Sequence, residues 1–369
     1  MQKYAHTFEN EMNEPGFLQN TLDPERALLT TKALRAWYLA NARDLPWRSE
    51  PSLYGTWISE IMLQQTRVET GVPKWHAFRE AFPAVADLAR ASEDEVLKAW
   101  EGLGYYRRAR LLHRAAKAIH EAGDFPSTHA EWLELPGIGP YTAAAIASIG
   151  LREAVAAVDG NVQRVVARWA GIAEAVDSKA GALAVQHVAD ALLDRQHPGD
   201  HNQAVMELGA LVCTPRAAHC TACPLEATCA SAGREDVWRS LPVKQPKKKP
   251  VPWELHWHVV TCGEWVVVVQ RPDNGVWPKM WTFPEIPPPG HFASVGLLLE
   301  PVKHILSHRL ISASFHGWQA GDQASLRAYA NASNAHVMTW CELSALARPR
   351  LLTKKWEEVY AALTASERM

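Results

Sequence analysis

Apolar residues return every third or fourth position through Ala27–Ala40, Thr56–Thr66, Glu93–Gly102 and Arg108–Glu121. The same spacing continues in Tyr141–Ile149, Asn161–Ala170, Gly181–Leu193 and Asn202–Val212. That period lays one apolar stripe along an α-helix. Gly and Pro punctuate the stretches at Glu134–Pro140 and His197–Gly199, as turns require. The pattern predicts a domain that is helical almost throughout, from about Pro24 to Val237.

Beyond Val237 the period changes. Val243–Pro252 carries four Lys and three Pro with few apolar residues, the composition of a linker. Trp253–Thr261 and Glu264–Gln270 then read as strands around a Cys262-Gly263 turn, with a further turn at Arg271–Gly275. Ile311–Trp318 and His336–Trp340 are further strand candidates, while Phe292–Leu299, Asp322–Ala330 and Thr353–Leu363 read as short helices. The layout is a loose arm (1–25), an all-α domain (26–235), a linker (236–252) and a small α+β domain (253–369). No internal repeat is evident. Lys247-Lys248-Lys249 reads as solvated linker in preference to a nuclear-localisation patch, because the run is short and lies at the composition break.

Composition changes this picture in four ways. With 369 residues, 47% apolar and 21% charged, the chain can bury two ordinary cores. A net charge of −2 weighs weakly against a dedicated nucleic-acid binder, although local basic patches can still supply that role. Met1–Gly16 lacks an apolar signal core, and no run of about 18 apolar residues marks a membrane span. The expectation is a cytoplasmic, monomeric protein without a membrane partner. Six cysteines in so long a chain do not make a disulfide framework.

Four of those cysteines, Cys213, Cys220, Cys223 and Cys229, crowd into 17 residues with spacing C-x6-C-x2-C-x5-C. Four thiolates on a loop-rich segment suit one metal centre, and Pro215 and Pro224 keep the segment out of helix. Zinc more often takes two C-x2-C pairs, so the single pair and wide gaps favour an iron–sulfur cluster, with zinc as the alternative. The loops between the ligands hold few polar groups, which suits a structural clamp better than a redox centre.

Leu135-Pro-Gly137-Ile-Gly139-Pro140-Tyr141-Thr-Ala143 lies between two helical stretches. Gly137 and Gly139 permit a sharp turn and close approach, and Pro140 stands where a helix would start. Free N–H groups at that helix start would face a phosphate, although a plain turn between packed helices has the same spacing.

This hairpin, the following Val158-Asp159-Gly160-Asn161-Val162 and the cysteine motif together resemble the helix-hairpin-helix glycosylases of the endonuclease III superfamily. Trp57-Ile-Ser-Glu60-Ile-Met-Leu-Gln-Gln65-Thr66 is similar to the adenine-removing branch of that superfamily. The resemblance covers about residues 26–235 closely and the C-terminal domain more loosely. It implies an all-α helix-hairpin-helix glycosylase domain with one 4Fe–4S cluster, followed by a small α+β Nudix-like domain.

Breaking an N-glycosidic bond to a purine needs an acid for the leaving base and a carboxylate for the cationic sugar. Glu60 stands among Ile58, Ile61, Met62 and Leu63, surroundings that would raise its pKa, although a helical Glu can equally be exposed. Asp159 and Asn161 are good helix N-cap residues in their own right. The resemblance makes Glu60 the acid that protonates adenine at N7 and Asp159 the stabiliser of the oxocarbenium, kept ionised by the helix start, with Asn161 close by. Tyr141 stands where bifunctional relatives carry a Lys nucleophile, and Gln163 offers no amine either, which implies a monofunctional enzyme. Tyr141 is then expected to orient Asp159 or the water.

An adenine in duplex must be flipped out before it can react. The resemblance assigns Gln65 with Thr66 as the wedge and Tyr105 as a stacking partner for the opposite base. It places Leu45 and Arg48 at the base pocket or the oxidised guanine, and Gln203 at the adenine edge. Arg107, Arg108, Arg110, Arg114 and Lys117 form a basic stretch that suits phosphates or a solvated helix face. Gly275–Pro284 carries the resemblance to Nudix-like modules, and no box of clustered Glu follows it. Leu306-Ser307-His308 occupies the place of a Phe-Ser-His loop, leaving Ser307 and His308 to recognise the lesion. The implied partner is double-stranded DNA with an A·8-oxoguanine or A·G mismatch. A glycosylase of different substrate range and a non-catalytic mismatch binder are the competing readings.

Overall fold

The structure, a computed structural model, describes residues 23–246 and 249–366. Most of the expected arm, and Lys247 and Lys248 of the linker, lie outside the described residues. The first helix, Pro24–Asn41, opens where the apolar spacing put it and takes in the last two residues of the expected arm, because Asp23 caps it by accepting from the Glu25 and Arg26 N–H groups. Contacts divide the chain into two compact units. One holds the described residues up to Trp75 with Ala115–Pro246, and the other holds His76–Arg114 with the described part of Lys247–Met369.

The first unit is helical. Leu53–Met62, Pro140–Gly150, Gly160–Ala170, Lys179–Leu192 and Pro198–Leu211 form its centre. Val162, Val166 and Trp169 meet Val185, Val188 and Leu208 in one core, where each is at most 3% exposed. A second aromatic group, Trp57 with Trp132 at 5.8 Å and Phe125 at 6.5 Å, backs the Leu53–Met62 helix. At roughly 25 cal/mol per Å² such burial dominates the stability of the unit. The helix expected over Thr56–Thr66 stops at Met62; Gln65 turns left-handed at φ 58°.

The second unit carries a six-stranded sheet among its described residues. Strands β1 (Val251–Cys262), β2 (Trp265–Gln270), β3 (Trp281–Thr282), β4 (Ala293–Ile305) and β5 (Arg309–Gln319) lie in the order β3-β2-β1-β5-β4, and β6 (His336–Thr339) pairs with β2. β1 and β5 are parallel, and the remaining pairs are antiparallel. Alternation along β1 sends Leu255, Trp257 and Val259 under the helix Arg350–Ser366. Val260 packs on the other face with Leu326 and Tyr329 of the helix Gln323–Ala332.

The helix expected over Phe292–Leu299 is instead the start of β4. Register shifts at Ser294/Gly296, Leu297/Leu299 and Leu299/Val302 break the two-residue alternation. The bulged strand therefore mimics a helical spacing. The helices Val68–Ala81, Val85–Arg90 and His129–Leu133 are additions to the expected set; Gly71 and Pro73 interrupt the pattern of the first. No helix among the described residues is long and apolar enough to cross a membrane.

Candidate active site

Ser52 starts the Leu53–Met62 helix by accepting the Gly55 N–H at 2.9 Å. Trp57, Ile58, Ile61 and Met62 of that helix are buried, which leaves half-buried Glu60 facing a cleft of about 870 Å³. Tyr141, in the first turn of Pro140–Gly150, donates its hydroxyl to Glu60 Oε2 at 2.6 Å and lies 3.7 Å from Met206 Sδ. Gln64 Nε2 donates to Thr142 Oγ1 at 3.1 Å, tying the turn after the Glu60 helix to the hairpin helix. Burial pushes the Glu60 carboxyl up to about 7, against the Tyr141 hydrogen bond; the Asp159 charge adds to the rise and Arg48 opposes it. Burial and then the neighbouring Glu60 hold the Tyr141 phenol well above its usual range.

Asp159 caps the Gly160–Ala170 helix. Its Oδ1 accepts the Asn161 and Val162 N–H groups at 2.8 and 2.7 Å, and Oδ2 accepts Asn161 Nδ2 at 2.8 Å. Asn161 Oδ1 in turn accepts Arg164 Nη2 at 2.8 Å. Burial raises the Asp159 pKa, and the cap hydrogen bonds and Arg164 oppose that shift. The Tyr141 hydroxyl was expected to orient Asp159 or the water; the hydrogen bond it makes here is to Glu60.

A charged wall closes the cleft opposite. Glu207 accepts Arg43 Nε and Nη2, both at 2.8 Å, and Arg48 Nη2 at 3.1 Å. Arg48 Nε donates to Gln203 Oε1 at 3.0 Å. Burial would raise the Glu207 carboxyl, but the two arginines bring it down to about 2. Leu45 is buried at the cleft edge. Glu60, Tyr141, Asp159, Asn161, Leu45, Arg48, Gln65, Thr66 and Gln203 thus line one cleft.

The hairpin glycines divide their work. Gly137 needs its lack of a side chain, at φ +82°. Gly139 is extended at the N-cap of Pro140–Gly150, with open space where a Cβ would be. Gln65 is exposed at its left-handed turn, a conformation that costs a non-glycine residue about 1–2 kcal/mol. Tyr105, Ser307 and His308 belong to the other unit. There Tyr105 is 53% exposed at φ 48°, and Ser307 and His308 are exposed between β4 and β5, with Ser307 Oγ 3.4 Å from His308 Nδ1. Leu306 packs against the sheet core. Arg108 departs from the basic stretch: its Nη2 donates to the Leu103 and Gly104 carbonyls, and burial lowers its pKa to about 10. Arg107, Arg114 and Lys117 are exposed.

Cys213, Cys220, Cys223 and Cys229 are free, half-buried and line one pocket. Burial pushes the Cys223 thiol up to about 12, and the other three thiols add to the rise. A cation among them would reverse this and favour thiolates. Among the described residues no three His, Cys, Asp or Glu side chains close around a single metal ion. The four sulfur donors line one pocket, with Arg168 Nη1 at 3.2 Å from Cys213 Sγ, and four thiols beside a cation suit by their chemistry an anionic iron–sulfur group.

Sequence reasoning missed Arg43, Glu207, Arg164 and Met206. Glu207 carried a usable signal, a charge between Met206 and Leu208 on an otherwise apolar stretch. Its arginine partners come from 164 and 159 residues away, which no local pattern records.

Comparison with known proteins gives the family of this fold. Residues 58–186 match the family described as HhH-GPD superfamily base excision DNA repair protein. The adenine DNA glycosylase of Buchnera aphidicola subsp. Schizaphis graminum is 36% identical over 254 residues, covering 67% of this chain and 72% of that protein. That of Mus musculus is 36% identical over 306 residues, covering 69% of this chain and 59% of that protein. The chain likewise spans only 57% of the human and 46% of the Arabidopsis thaliana relatives' length. The structure of a thermostable thymine-DNA glycosylase superposes with a TM-score of 0.52 at 25% identity, over 56% of this chain and 96% of that one. The chain belongs to the adenine DNA glycosylase family.

Proposed function

We propose that the chain is a monofunctional DNA glycosylase that hydrolyses the N-glycosidic bond of adenine mispaired with 8-oxoguanine or guanine. The observation that carries this reading is the Glu60–Tyr141 pair, 2.6 Å apart, with Glu60 near neutral pKa and Asp159 in the same cleft. Glu60 holds a proton at pH 7 for the departing purine, and Asp159, with its cap hydrogen bonds, stabilises the cationic sugar. Arg48, Gln203 and Glu207 offer donors and acceptors for a base edge. Among the described residues lining the cleft there is no lysine, which supports hydrolysis without a Schiff base.

The same reading gives Gln65, Thr66 and Tyr105 to opening the duplex, and Gly137 and Gly139 to the phosphate chain. It gives Ser307 and His308, on a Nudix-like domain of residues 253–369, to the oxidised guanine. Cys213, Cys220, Cys223 and Cys229 would hold one 4Fe–4S cluster as a structural clamp. The protein acts as a monomer in the cytoplasm, on chromosomal DNA.

Duplexes carrying A·8-oxoguanine, A·G, A·T and T·G pairs test the reading, with free base identified by mass spectrometry. Adenine should leave the first two, and strands should break only after alkali. Release of thymine and not adenine, or strand breaks without alkali, would overturn the specificity or the monofunctional step respectively. Tight mismatch binding with no base released would make the chain a binding protein.

A further inference from the structure

The buried guanidinium of Arg168 stands beside the cysteine pocket with no carboxylate partner among the described residues. Arg168 is 2% exposed on the Gly160–Ala170 helix. Its Nη1 donates to Cys213 Sγ at 3.2 Å and to the Thr214 carbonyl at 2.9 Å, and its Nε donates to the Leu241 carbonyl at 3.1 Å. Trp238 covers the group, with its ring centroid 5.1 Å from the guanidinium carbon. Every hydrogen bond the guanidinium makes among the described residues therefore goes to a carbonyl or to the Cys213 sulfur. The backbone carbonyl of the same residue accepts from Cys229 Sγ at 3.6 Å and from Ser231 Oγ at 2.7 Å. One residue thus touches the first and the last of the four cysteines in chain order.

A guanidinium stays charged at any pH a protein survives, and burying it without a countercharge is costly. Neutral carbonyls and a neutral thiol do not supply that countercharge; thiolates bound to a cluster do. We propose that Arg168 is a positioning residue for the cluster. It fixes the Cys213 sulfur by an N–H···S hydrogen bond and offsets the negative charge gathered by four thiolates. The inference rests on reading the four cysteines as cluster ligands. Arg164, one turn earlier, holds the same cysteine by its carbonyl at 2.8 Å, so Cys213 is fixed at both ends. Hydrogen bonds and positive charge at cluster sulfurs favour the reduced state, so Arg168 should also raise the reduction potential.

The test compares full-length wild type, Arg168→Lys and Arg168→Gln, each purified without oxygen. Iron and sulfide per chain, iron release to a chelator and the midpoint potential are read for each. Arg168→Lys should hold iron as wild type does. Arg168→Gln should release it about tenfold faster. At a fixed potential its reduced-to-oxidised ratio should fall about tenfold, which is about 59 mV for a one-electron couple. Arg168→Gln with full iron and wild-type release and potential would overturn the proposal. Should the Gln variant be recovered without iron, the Lys variant decides. Restored iron supports the charge role, while an iron-free Lys variant that melts like wild type reduces Arg168 to packing and overturns it. Wild type without iron would refute the cluster reading itself, before any variant is compared.

Discussion

Replacing Tyr141 by Phe isolates the hydrogen bond that holds the Glu60 pKa down. Burial sets the pKa of that carboxyl near 7, and the 2.6 Å bond from Tyr141 is the largest opposing influence. A hydrogen bond to a charged group contributes about 1.5–3 kcal/mol, and about 1.4 kcal/mol moves a pKa by one unit. Tyr141→Phe should therefore lift the Glu60 titration by roughly one to two pH units. The sign for catalysis follows directly. The protonated acid is the active form, so the rate falls as pH rises through its pKa, and the variant carries that alkaline limb to higher pH. At pH 7 the protonated fraction rises from about half to nearly all, a gain of at most about twofold that lost orientation can mask. The position of the limb is thus the diagnostic quantity. Single-turnover adenine release from pH 5.5 to 9.5 would locate it, and difference infrared spectra of the free protein would follow the same carboxyl without substrate. A limb that stays in place or moves to lower pH would refute the assignment.

Three further outcomes follow from the same geometry. Because the folded pKa of Glu60 lies above its unfolded value, its ionisation opposes folding as pH rises from about 4.5 to 7. Glu60→Gln should then exceed wild type in urea stability at pH 8 by on the order of 2–3 kcal/mol, with the gap closing near pH 5; equal stability at pH 8 would sink this. Glu207→Ala leaves Arg43 and Arg48 without their shared carboxylate and should cost about 3–5 kcal/mol, measured by denaturant titration. A loss below about 1 kcal/mol would mean that the arginines find other partners. A Cβ on Gly209 would stand 2.7 Å from the Asn161 Cβ, so Gly209→Ala should push Asn161 off Asp159. It should cost about 1–3 kcal/mol and slow base release; a variant with wild-type melting and rate would contradict that close packing.

The helical domain was legible because its stripes are long and its caps are local. Asp159, Ser52 and Pro140 announce helix starts in the residues themselves. The sheet was legible where strands alternate, as in β1 and β5, and failed at β4, where three register shifts destroy the alternation. Glu60, Asp159, Tyr141 and Gln203 were reachable through the resemblance of their motifs to a known family, where spacing alone left Glu60 and Asp159 open, and the fold brings all four to one cleft. The sign of the Asp159 shift was not legible. A cap favours the ionised form locally, whereas burial is set by the whole unit and wins here. Arg43 was invisible for a related reason, and Glu207 showed only as a lone charge on an apolar stretch, since their pairing appears only once the fold brings them together from 164 residues apart.

The most direct test of the central claim is single-turnover adenine release from an A·8-oxoguanine duplex by wild type, Glu60→Gln and Asp159→Asn. Wild type should release adenine, and each variant should lose at least 10²–10⁴-fold in rate while still binding the duplex. Either variant retaining release within tenfold of wild type would contradict the assignment of the two carboxylates.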